Sequence, residues 1–372
     1  MNKEKTKKNI LFITSSLART GSEILLFNFI NFIAEKYTVS VICYTKGDLV
    51  DQLPTSVKVH ILGLTQPLGL FQKIKRRLKI YITVPILLGS YKNSFWYINT
   101  MVLPTAVTYA VLYQVKFILH SHELNKMYHL LSAEQLKQAL TQPLRIIANS
   151  EITKQQLIEA GAKKQILVIN PFIDLHLVET FKRKQNKKAT INWLMAGSID
   201  QNKNPQLFLD IANEAKKSSL PYQFIWLYNT ISDKALFLSI QQQVSMKHLP
   251  VKFVETGDYN NYLQQFSEAD GFILTSRSES FSMATLEALA LSLQVVVSDC
   301  GGVREIANEK IASFVVPDCS AATFIEATKF ELGRTGLQFD EKRDIVSRFD
   351  KNNILNQWEK LVREIIESSD NP

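Results

Sequence analysis

The densest group of residues that can do chemistry lies in the stretch 270–305, which reads DGFILTSRSESFSMATLEALALSLQVVVSDCGGVRE. Its apolar strand is predicted to end at Thr275, a polar loop follows, and a helix is predicted to begin near Ser282 or Met283. A helix that begins directly after a strand directs free backbone N–H groups and the positive end of its dipole towards one spot, which suits a diphosphate. Serine hydroxyls that can cap this helix or bind phosphate oxygens stand at Ser278, Ser280 and Ser282.

Two acids in this stretch have different predicted tasks. Glu287, one turn into the helix, can reach back and accept two hydrogen bonds from a ribose diol. Glu279, in the loop, is expected nearer to a reacting sugar. Two acids at this spacing are common, and the competing interpretation is a core helix with solvated acids. The order of the surrounding features therefore has to decide between the two.

That order is strand, loop acid, Phe281, helix, the Glu287-Ala288 pair, a further strand and then Gly301-Gly302. It resembles glycosyltransferase family 4, whose signature is a Glu-Gly-Phe-Gly loop followed by Glu-Ala and a downstream Gly-Gly. The resemblance implies an α/β protein of the GT-B fold, with two Rossmann-like domains facing each other across a cleft. It also implies retaining transfer of a sugar from a nucleotide diphosphate-sugar, with Glu279 orienting the donor sugar.

Three further segments extend the resemblance along the chain. The stretch 196–203, AGSIDQNK, resembles the family's Gly-Arg loop with its phosphate-binding lysine, for which Lys203 fits. The stretch 19–23 resembles the glycine-rich first turn, where Gly21 would let backbone approach ligands, although an ordinary helix start explains it equally well. The stretch 120–123 resembles a histidine-containing donor-side motif, with His122 the better match. A polar residue at the rim of the sheet is the alternative.

The resemblance assigns catalysis to Glu279, His122 and Lys203. It assigns donor binding to Gly21, Gly197, Ser198, Arg277, Ser280, Phe281, Ser282, Met283 and Glu287. Several positions depart from the family pattern, because Ser280 and Ser282 replace glycines and Ser198 replaces an arginine. Arg277 can supply the missing positive charge, or it is a surface residue.

No metal-binding cluster is evident, so no metal or other cofactor is predicted, and positive charge and helix amides must neutralise the leaving group. The predicted partners are a nucleotide-sugar, whose base could be uracil or guanine, and a glycan or lipid-linked acceptor, as in bacterial cell-surface polysaccharide or glycolipid synthesis. Two alternatives to a glycosyltransferase stay open: a nucleotide-sugar epimerase, and a nucleotide-sugar-binding protein with a degenerate donor site.

Short β-branched runs alternate with amphipathic stretches, which is typical of parallel sheets built from strand-helix-strand units. The predicted strands are 9–15, 38–45, 57–62, 95–99, 116–120, 144–149, 166–169, 191–196, 223–227, 251–254, 271–275, 295–298 and 314–316. The predicted helices are 21–34, 104–113, 152–160, 205–217, 233–247, 283–290, 321–330 and a terminal helix at 352–367. A charged connector at 179–189 separates two series. We therefore expect domains at 1–180 and 181–350, with residues 351–372 returning towards the first.

The charge of the chain is uneven. Of 372 residues, the first 180 hold 21 Lys and Arg against 11 Asp and Glu, while the rest hold 22 against 24. This asymmetry predicts an anionic partner, and the absence of an aromatic-basic platform or helix-turn-helix pattern argues against nucleic acid.

The segment 70–93, LFQKIKRRLKIYITVPILLGSYKN, interleaves basic and apolar residues and is interrupted at Pro85. It suits contact with an anionic membrane surface, and a core-packed helix with a solvated basic face is the alternative. With three scattered cysteines and no apolar run long enough to span a bilayer, the sequence predicts a cytoplasmic protein, peripheral on the inner face of the membrane.

Overall fold

The computed structural model describes residues 7–18, 21–64, 70–181, 189–306, 315–333 and 339–370. The chain forms two compact units, one of Met1–Pro171 with Asn353–Pro372 and one of Phe172–Asn352. Arg19, Thr20, most of the predicted connector and Phe314 lie outside the described residues.

A parallel sheet forms the centre of the first unit. Its strands are β1 (Asn9–Thr14), β2 (Thr38–Cys43), β3 (Lys58–Ile61), β4 (Phe95–Ile98), β5 (Phe117–Ser121), β6 (Arg145–Ala148) and β7 (Ile166–Val168). They are ordered β3-β2-β1-β4-β5-β6-β7. The helices between them are α1 (Gly21–Ile33), α2 (Leu70–Leu78), α3 (Val84–Ser90), α4 (Pro104–Leu112), α5 (Ala133–Thr141) and α6 (Glu151–Glu159).

The second unit repeats this plan. Its strands are β8 (Ile191–Ala196), β9 (Tyr222–Tyr228), β10 (Val251–Glu255), β11 (Gly271–Leu274), β12 (Gln294–Ser298) and β13 (Val315–Val316), ordered β10-β9-β8-β11-β12-β13. Its helices are α7 (Leu175–Thr180), α8 (Pro205–Lys217), α9 (Lys234–Met246), α10 (Tyr259–Ser267), α11 (Met283–Ala290), α12 (Val303–Ile306), α13 (Ala321–Gly333) and α14 (Phe339–Ser347).

In both units the strand order reverses beside the first strand. The reversal lies between β1 and β4 in the first unit and between β8 and β11 in the second. Ligands of open parallel sheets bind outside the carboxyl ends of strands at such a switch point. The predicted residues that follow β8 and β11 are therefore placed at the edge where this fold binds ligands.

Apolar strand residues fill the cores, because a parallel sheet is covered by helices on both faces. In the second unit Trp193 and Trp226 are fully buried in β8 and β9. A Cβ at Gly271 would lie 2.4 Å from the Trp193 ring, so the glycine of β11 lets the indole pack across the neighbouring strand.

The last helix, α15 (Lys351–Asp370), belongs from Asn353 onwards to the first unit. Its Trp358 stacks on Phe29 of α1, with ring centroids 3.9 Å apart and an interplanar angle of 3°. The predicted apolar stripe is buried at Ile354, Leu355, Val362, Ile365 and Ile366.

Each predicted strand has a counterpart in the structure, but the predicted interruption at Pro85 is wrong. The segment continues from α2 through a π-helical turn, Lys79–Thr83, into α3, and Pro85 lies in the first turn of α3. Proline lacks the N–H of a regular helical turn, and the wider π-helical turn directly before it, which ends with the Val84 N–H donating to Lys79 O, changes the hydrogen-bond pattern at that point. Within the described residues, no helix has the length and apolar character needed to cross a membrane.

Candidate active site

The loop after β8 is shaped by Gly197, whose φ of 142° favours glycine. A Cβ at this position would lie 2.5 Å from Cε of Lys203. Glycine therefore leaves the space through which the lysine side chain passes. Ser198 follows it and is partly buried.

Lys203 reaches Glu279, which lies in the loop after β11. The two charged groups are 2.6 Å apart, and their side chains are only 17% and 16% exposed. Burial by itself lowers the pKa of Lys203, but attraction to Glu279, its hydrogen bond and Asp200 outweigh it and raise the pKa. The structure thus brings these two predicted residues together as a charged pair at the switch point.

The backbone of Glu279 is fixed by the loop that follows β12. Its N–H donates to Cys300 O (2.8 Å), and its carbonyl accepts from Gly302 N (2.9 Å). A Cβ at Gly302 would lie 2.2 Å from Ser280 O, so this glycine of the predicted Gly-Gly is sterically required.

Arg277 lies in the same loop with an exposed side chain. Its N–H donates to Asn202 O (2.8 Å), and its guanidinium donates to Asn204 Oδ1 (3.3 Å). Asn202 in turn donates to Ser278 O (2.8 Å), which joins the loops after β8 and β11. The structure therefore brings Arg277 beside the loop of Lys203.

The loop ends at the first turn of α11, where two predicted donor contacts have structural tasks. Ser282 is the helix cap, because its Oγ accepts from Thr285 N (3.4 Å) and lies 2.8 Å from Thr285 Oγ1. The Phe281 ring is buried and packs against Phe349, with centroids 5.4 Å apart. Of the two tasks that the sequence allowed for Ser282, the structure shows capping. Ser280 and Met283 are partly buried beside them.

Glu287 is 4% exposed and is held by two tyrosines of α10. Tyr259 donates to its Oε1 and Tyr262 to its Oε2, each at 2.7 Å. Burial raises the pKa of Glu287 to about 7, against the opposing effect of both phenol bonds. Sequence reasoning missed these tyrosines together with their helix. Their spacing of three residues was a signal for one helix face, but it gave no partner.

In the first unit, His122 follows β5 and meets Asn99 at the end of β4, with Nε2 and Oδ1 3.1 Å apart. His120 lies beside it at a ring distance of 4.0 Å and pairs through Nδ1 with the Tyr97 hydroxyl at 2.7 Å. Burial lowers the pKa of His122 to about 3, and burial together with His122 lowers the pKa of His120. His122 is therefore a neutral hydrogen-bonding group at physiological pH.

Glu123 is a further missed residue of this strand end. Its carboxylate accepts from the Thr100 hydroxyl, from Ser121 Oγ (3.2 Å) and from His122 N (3.1 Å). These bonds fix the backbone on which His122 stands. Near β1, Gly21 begins α1, and a Cβ there would meet open space. Its predicted close approach to a ligand stays a prediction.

The predicted residues thus fall into two groups. The second unit holds Gly197, Ser198, Lys203, Arg277, Glu279, Ser280, Phe281, Ser282, Met283 and Glu287, and the first holds Gly21 and His122. No group of three or more His, Cys, Asp or Glu side chains suited to a metal is found in the part of the chain that the structure describes.

Two known protein families match this chain, one in its first part and one in its second. Residues 178–332 match the family described as glycosyl transferases group 1, and residues 19–177 match glycosyltransferase family 4. The chain is a family 4-like glycosyltransferase. These matches confirm the resemblance to family 4 and the prediction that the protein is a glycosyltransferase.

The individual relatives found for this chain are distant. The D-inositol 3-phosphate glycosyltransferase of Jonesia denitrificans is 23% identical over 221 residues, which are 54% of this chain and 52% of that protein. The chain thus matches about half the length of this curated relative.

Two solved structures share the fold over almost the whole chain. Anabaena HepE in complex with UDP and glucose has a TM-score of 0.78 at 17% identity, covering 96% of this chain and all of that one. The sucrose-phosphate synthase of Thermosynechococcus elongatus has a TM-score of 0.77 at 17% identity, covering 97% and 100%. At such identity the likeness concerns the fold, and it confirms the predicted GT-B class.

Proposed function

We propose that this protein transfers a sugar from a nucleotide diphosphate-sugar to a glycan or lipid-linked acceptor, with retention, in bacterial cell-surface polysaccharide or glycolipid synthesis. The observation that carries the proposal is the Lys203–Glu279 pair, 2.6 Å apart at the switch point of the second unit. A nucleoside diphosphate leaving group gains negative charge as its bond to the sugar breaks. A buried ammonium group directed at that oxygen stabilises the transition state more than the ground state.

In this proposal each group of the site has a separate task. Lys203 and the free N–H groups of α11 neutralise the diphosphate, and Arg277 adds an exposed positive charge. Glu279 orients the donor sugar, and Glu287 accepts from the ribose. His122 contributes a neutral hydrogen bond to the donor. The likeness to family 4 supports retention by front-face transfer.

The donor base is proposed from a solved relative. Anabaena HepE is in complex with UDP and glucose, or with UDP-glucose. This supports UDP-sugars as the first donors to test and GDP-sugars as the comparison. No metal or other cofactor is part of the proposal.

The test is release of UDP or GDP from a panel of nucleotide-sugars, measured with and without glycan and lipid-linked acceptors. We expect release to depend on an acceptor. A sugar altered without any acceptor would point to an epimerase, and tight nucleotide binding without turnover would point to a binding protein.

The Lys203→Ala variant sharpens this test. We expect turnover to fall roughly 100- to 1000-fold, because a charge that acts mainly in the transition state is removed. The matched control is Lys217→Ala, which removes an exposed lysine paired with Glu214 on α8. Unfolding temperatures of both variants exclude a folding defect. Nearly full turnover by Lys203→Ala would refute the proposed task of this lysine.

We further propose that the segment 70–93 contacts an anionic membrane surface. The exposed apolar side chains of this segment include Tyr81 (73% exposed) and Ile86 (70% exposed). Lys73, Lys75 and Arg77 are exposed on the same segment. Apolar and basic groups side by side suit a peripheral position at phospholipid headgroups.

A further inference from the structure

Two tyrosines hold the carboxylate of Glu287, one on each oxygen. The Tyr259 hydroxyl donates to Oε1 and the Tyr262 hydroxyl to Oε2, both at 2.7 Å. Their rings are stacked, with centroids 5.8 Å apart and an interplanar angle of 18°. One helix therefore presents both phenols to the same carboxylate.

The position of this tyrosine pair is fixed from both ends of α10. Asp258 caps the helix by accepting from Asn261 N at 2.8 Å. Tyr262 packs on Phe266 (4.7 Å between centroids), and Phe266 packs on Phe272 of β11 (5.7 Å). The hydroxyls are therefore anchored to the strand that leads into the Glu279 loop.

The two bonds also act on the charge of Glu287. Burial raises its pKa to about 7, and the hydrogen bonds from Tyr262 and Tyr259 oppose that rise. A phenol that donates to a carboxylate favours the ionised form. If both donors were lost, the pKa of the carboxyl would rise further, and a protonated carboxyl presents an O–H donor in place of one acceptor.

Charged groups on the elements packed against α11 include Asp174, Lys342 and the pair of Glu179 with Arg343, whose charged atoms are 3.4 Å apart. Asp174, the cap of α7, carries a negative charge that helps to raise the pKa of Tyr259, and its carboxylate pairs with Lys351 at 3.3 Å. On α14, Lys342 donates to the carbonyls of Ser292 and Leu293. The strands β11 and β12 contain no charged residue within their bounds. The pH response of Glu287 is therefore expected to depend mainly on the two tyrosines.

We propose that Tyr259 and Tyr262 are positioning residues, which hold the Glu287 carboxylate ionised and oriented to accept the ribose hydroxyls of the donor nucleotide. Each oxygen of an ionised carboxylate has two acceptor sites, so one bond from tyrosine leaves one site for a ribose hydroxyl. The proposal rests on the proposed function, since it takes Glu287 as the ribose acceptor.

The test is the pH dependence of UDP and GDP binding by the Tyr259→Phe/Tyr262→Phe variant, which keeps the rings and removes both hydroxyls. Calorimetry would run from about pH 6 to about pH 9. Wild-type affinity should fall roughly tenfold per pH unit below the midpoint. The double variant should shift that midpoint upwards by at least about one unit, with affinity recovered at high pH.

Matched controls separate this effect from packing. Tyr222→Phe removes the hydroxyl of another buried tyrosine, on β9, and should keep the wild-type profile. Glu287→Gln should bind weakly with no midpoint. An unchanged midpoint in the double variant, or an affinity loss of equal size at every pH, would overturn the proposal.

A second measurement needs no nucleotide. The carboxyl carbon signal of Glu287, identified by its loss in Glu287→Gln, can be titrated by ¹³C NMR in wild type and double variant. A higher midpoint in the double variant is expected, and equal midpoints would overturn the tyrosine assignment. Failure of the wild type to bind either nucleotide at any pH would instead refute the proposed function. The NMR titration would still show whether the two tyrosines lower the pKa of Glu287.

Discussion

His120 and His122 lie beside each other at the end of β5, and both rings are kept neutral in the folded protein. Burial lowers the pKa of His122 to about 3, and burial together with the neighbouring His122 lowers the pKa of His120 well below its usual range. In the unfolded chain a histidine titrates near about 6.5. The unfolded state therefore binds more protons than the folded state below that pH, and stability falls as the pH falls.

We expect His122→Gln to flatten this acid dependence. One neutral histidine contributes a loss of up to about 1.4 kcal/mol per pH unit between about pH 6.5 and about pH 3. Its substitution removes that part of the slope. Urea unfolding at several pH values down to about 5 measures it. The His129→Gln variant, at an exposed position, is the control for replacing a histidine by glutamine. Equal slopes for wild type and His122→Gln would contradict the assignment.

Among single residues, motif order was enough to place Lys203 and Glu279 at one sheet edge. It was not enough to find the tyrosines on Glu287, because that contact joins α10 to α11 across a strand. Nor could the sequence distinguish a capping serine from a phosphate-binding serine, since the same hydroxyl can do both. Only the distance between Ser282 Oγ and Thr285 identifies this serine as a helix cap.

At the scale of elements, α15 closes the first unit through one aromatic cluster. Trp358 stacks on Phe29 at 3.9 Å and also meets Tyr97 and His120, at 5.9 and 5.2 Å between centroids. The helix thereby packs on the central strands β4 and β5 as well as on α1. Because His122 lies beside His120, this helix also supports the strand end that carries a predicted catalytic residue.

Trp358→Ala is expected to destabilise the first unit by about 3 to 5 kcal/mol, because a fully buried indole leaves a cavity. Urea unfolding followed by circular dichroism measures the loss. Trp358→Phe should retain part of the stacking and lose less. Glu364→Ala, on the exposed face of the same helix, should change little. A free energy of unfolding unchanged in Trp358→Ala would show that α15 does not stabilise this unit.

The strands were predictable because continuous apolar runs between turns are what a covered parallel sheet requires. The helix α10, with the sequence YNNYLQQFS, was not, because it is only nine residues long and its Tyr, Asn, Phe and Ser residues have modest helix propensity. It is stabilised by the Asp258 cap and by tertiary contacts of Phe266 with Phe272 and of Tyr262 with Glu287, and these tertiary contacts cannot be read from a local pattern. Tertiary context overrides propensity here.

In the whole molecule, part of the excess positive charge of the first 180 residues lies on the exposed surface of the segment 70–93. The excess of Lys and Arg in the first 180 residues includes Lys73, Lys75 and Arg77, which are exposed on the segment 70–93. Beside them Ile74, Leu78 and Ile82 are 49%, 52% and 52% exposed. A core-packed helix would bury these side chains, so the exposure favours the membrane interpretation over the alternative.

We expect the protein to bind vesicles containing phosphatidylglycerol and to be released by salt, because exposed basic residues contribute about 1 kcal/mol each near an anionic surface. Lys73→Glu/Lys75→Glu/Arg77→Glu should therefore lower the partition coefficient, measured by co-sedimentation, by at least roughly 100-fold. The charge-matched control Lys137→Glu/Lys163→Glu/Lys164→Glu alters exposed lysines elsewhere in the first unit and should bind far better. Tyr81→Ser/Ile82→Ser/Ile86→Ser should weaken binding even at low salt, since inserted apolar area is lost. Equal sedimentation of the wild type and the segment 70–93 variants would exclude this segment as the membrane contact and would favour a soluble acceptor.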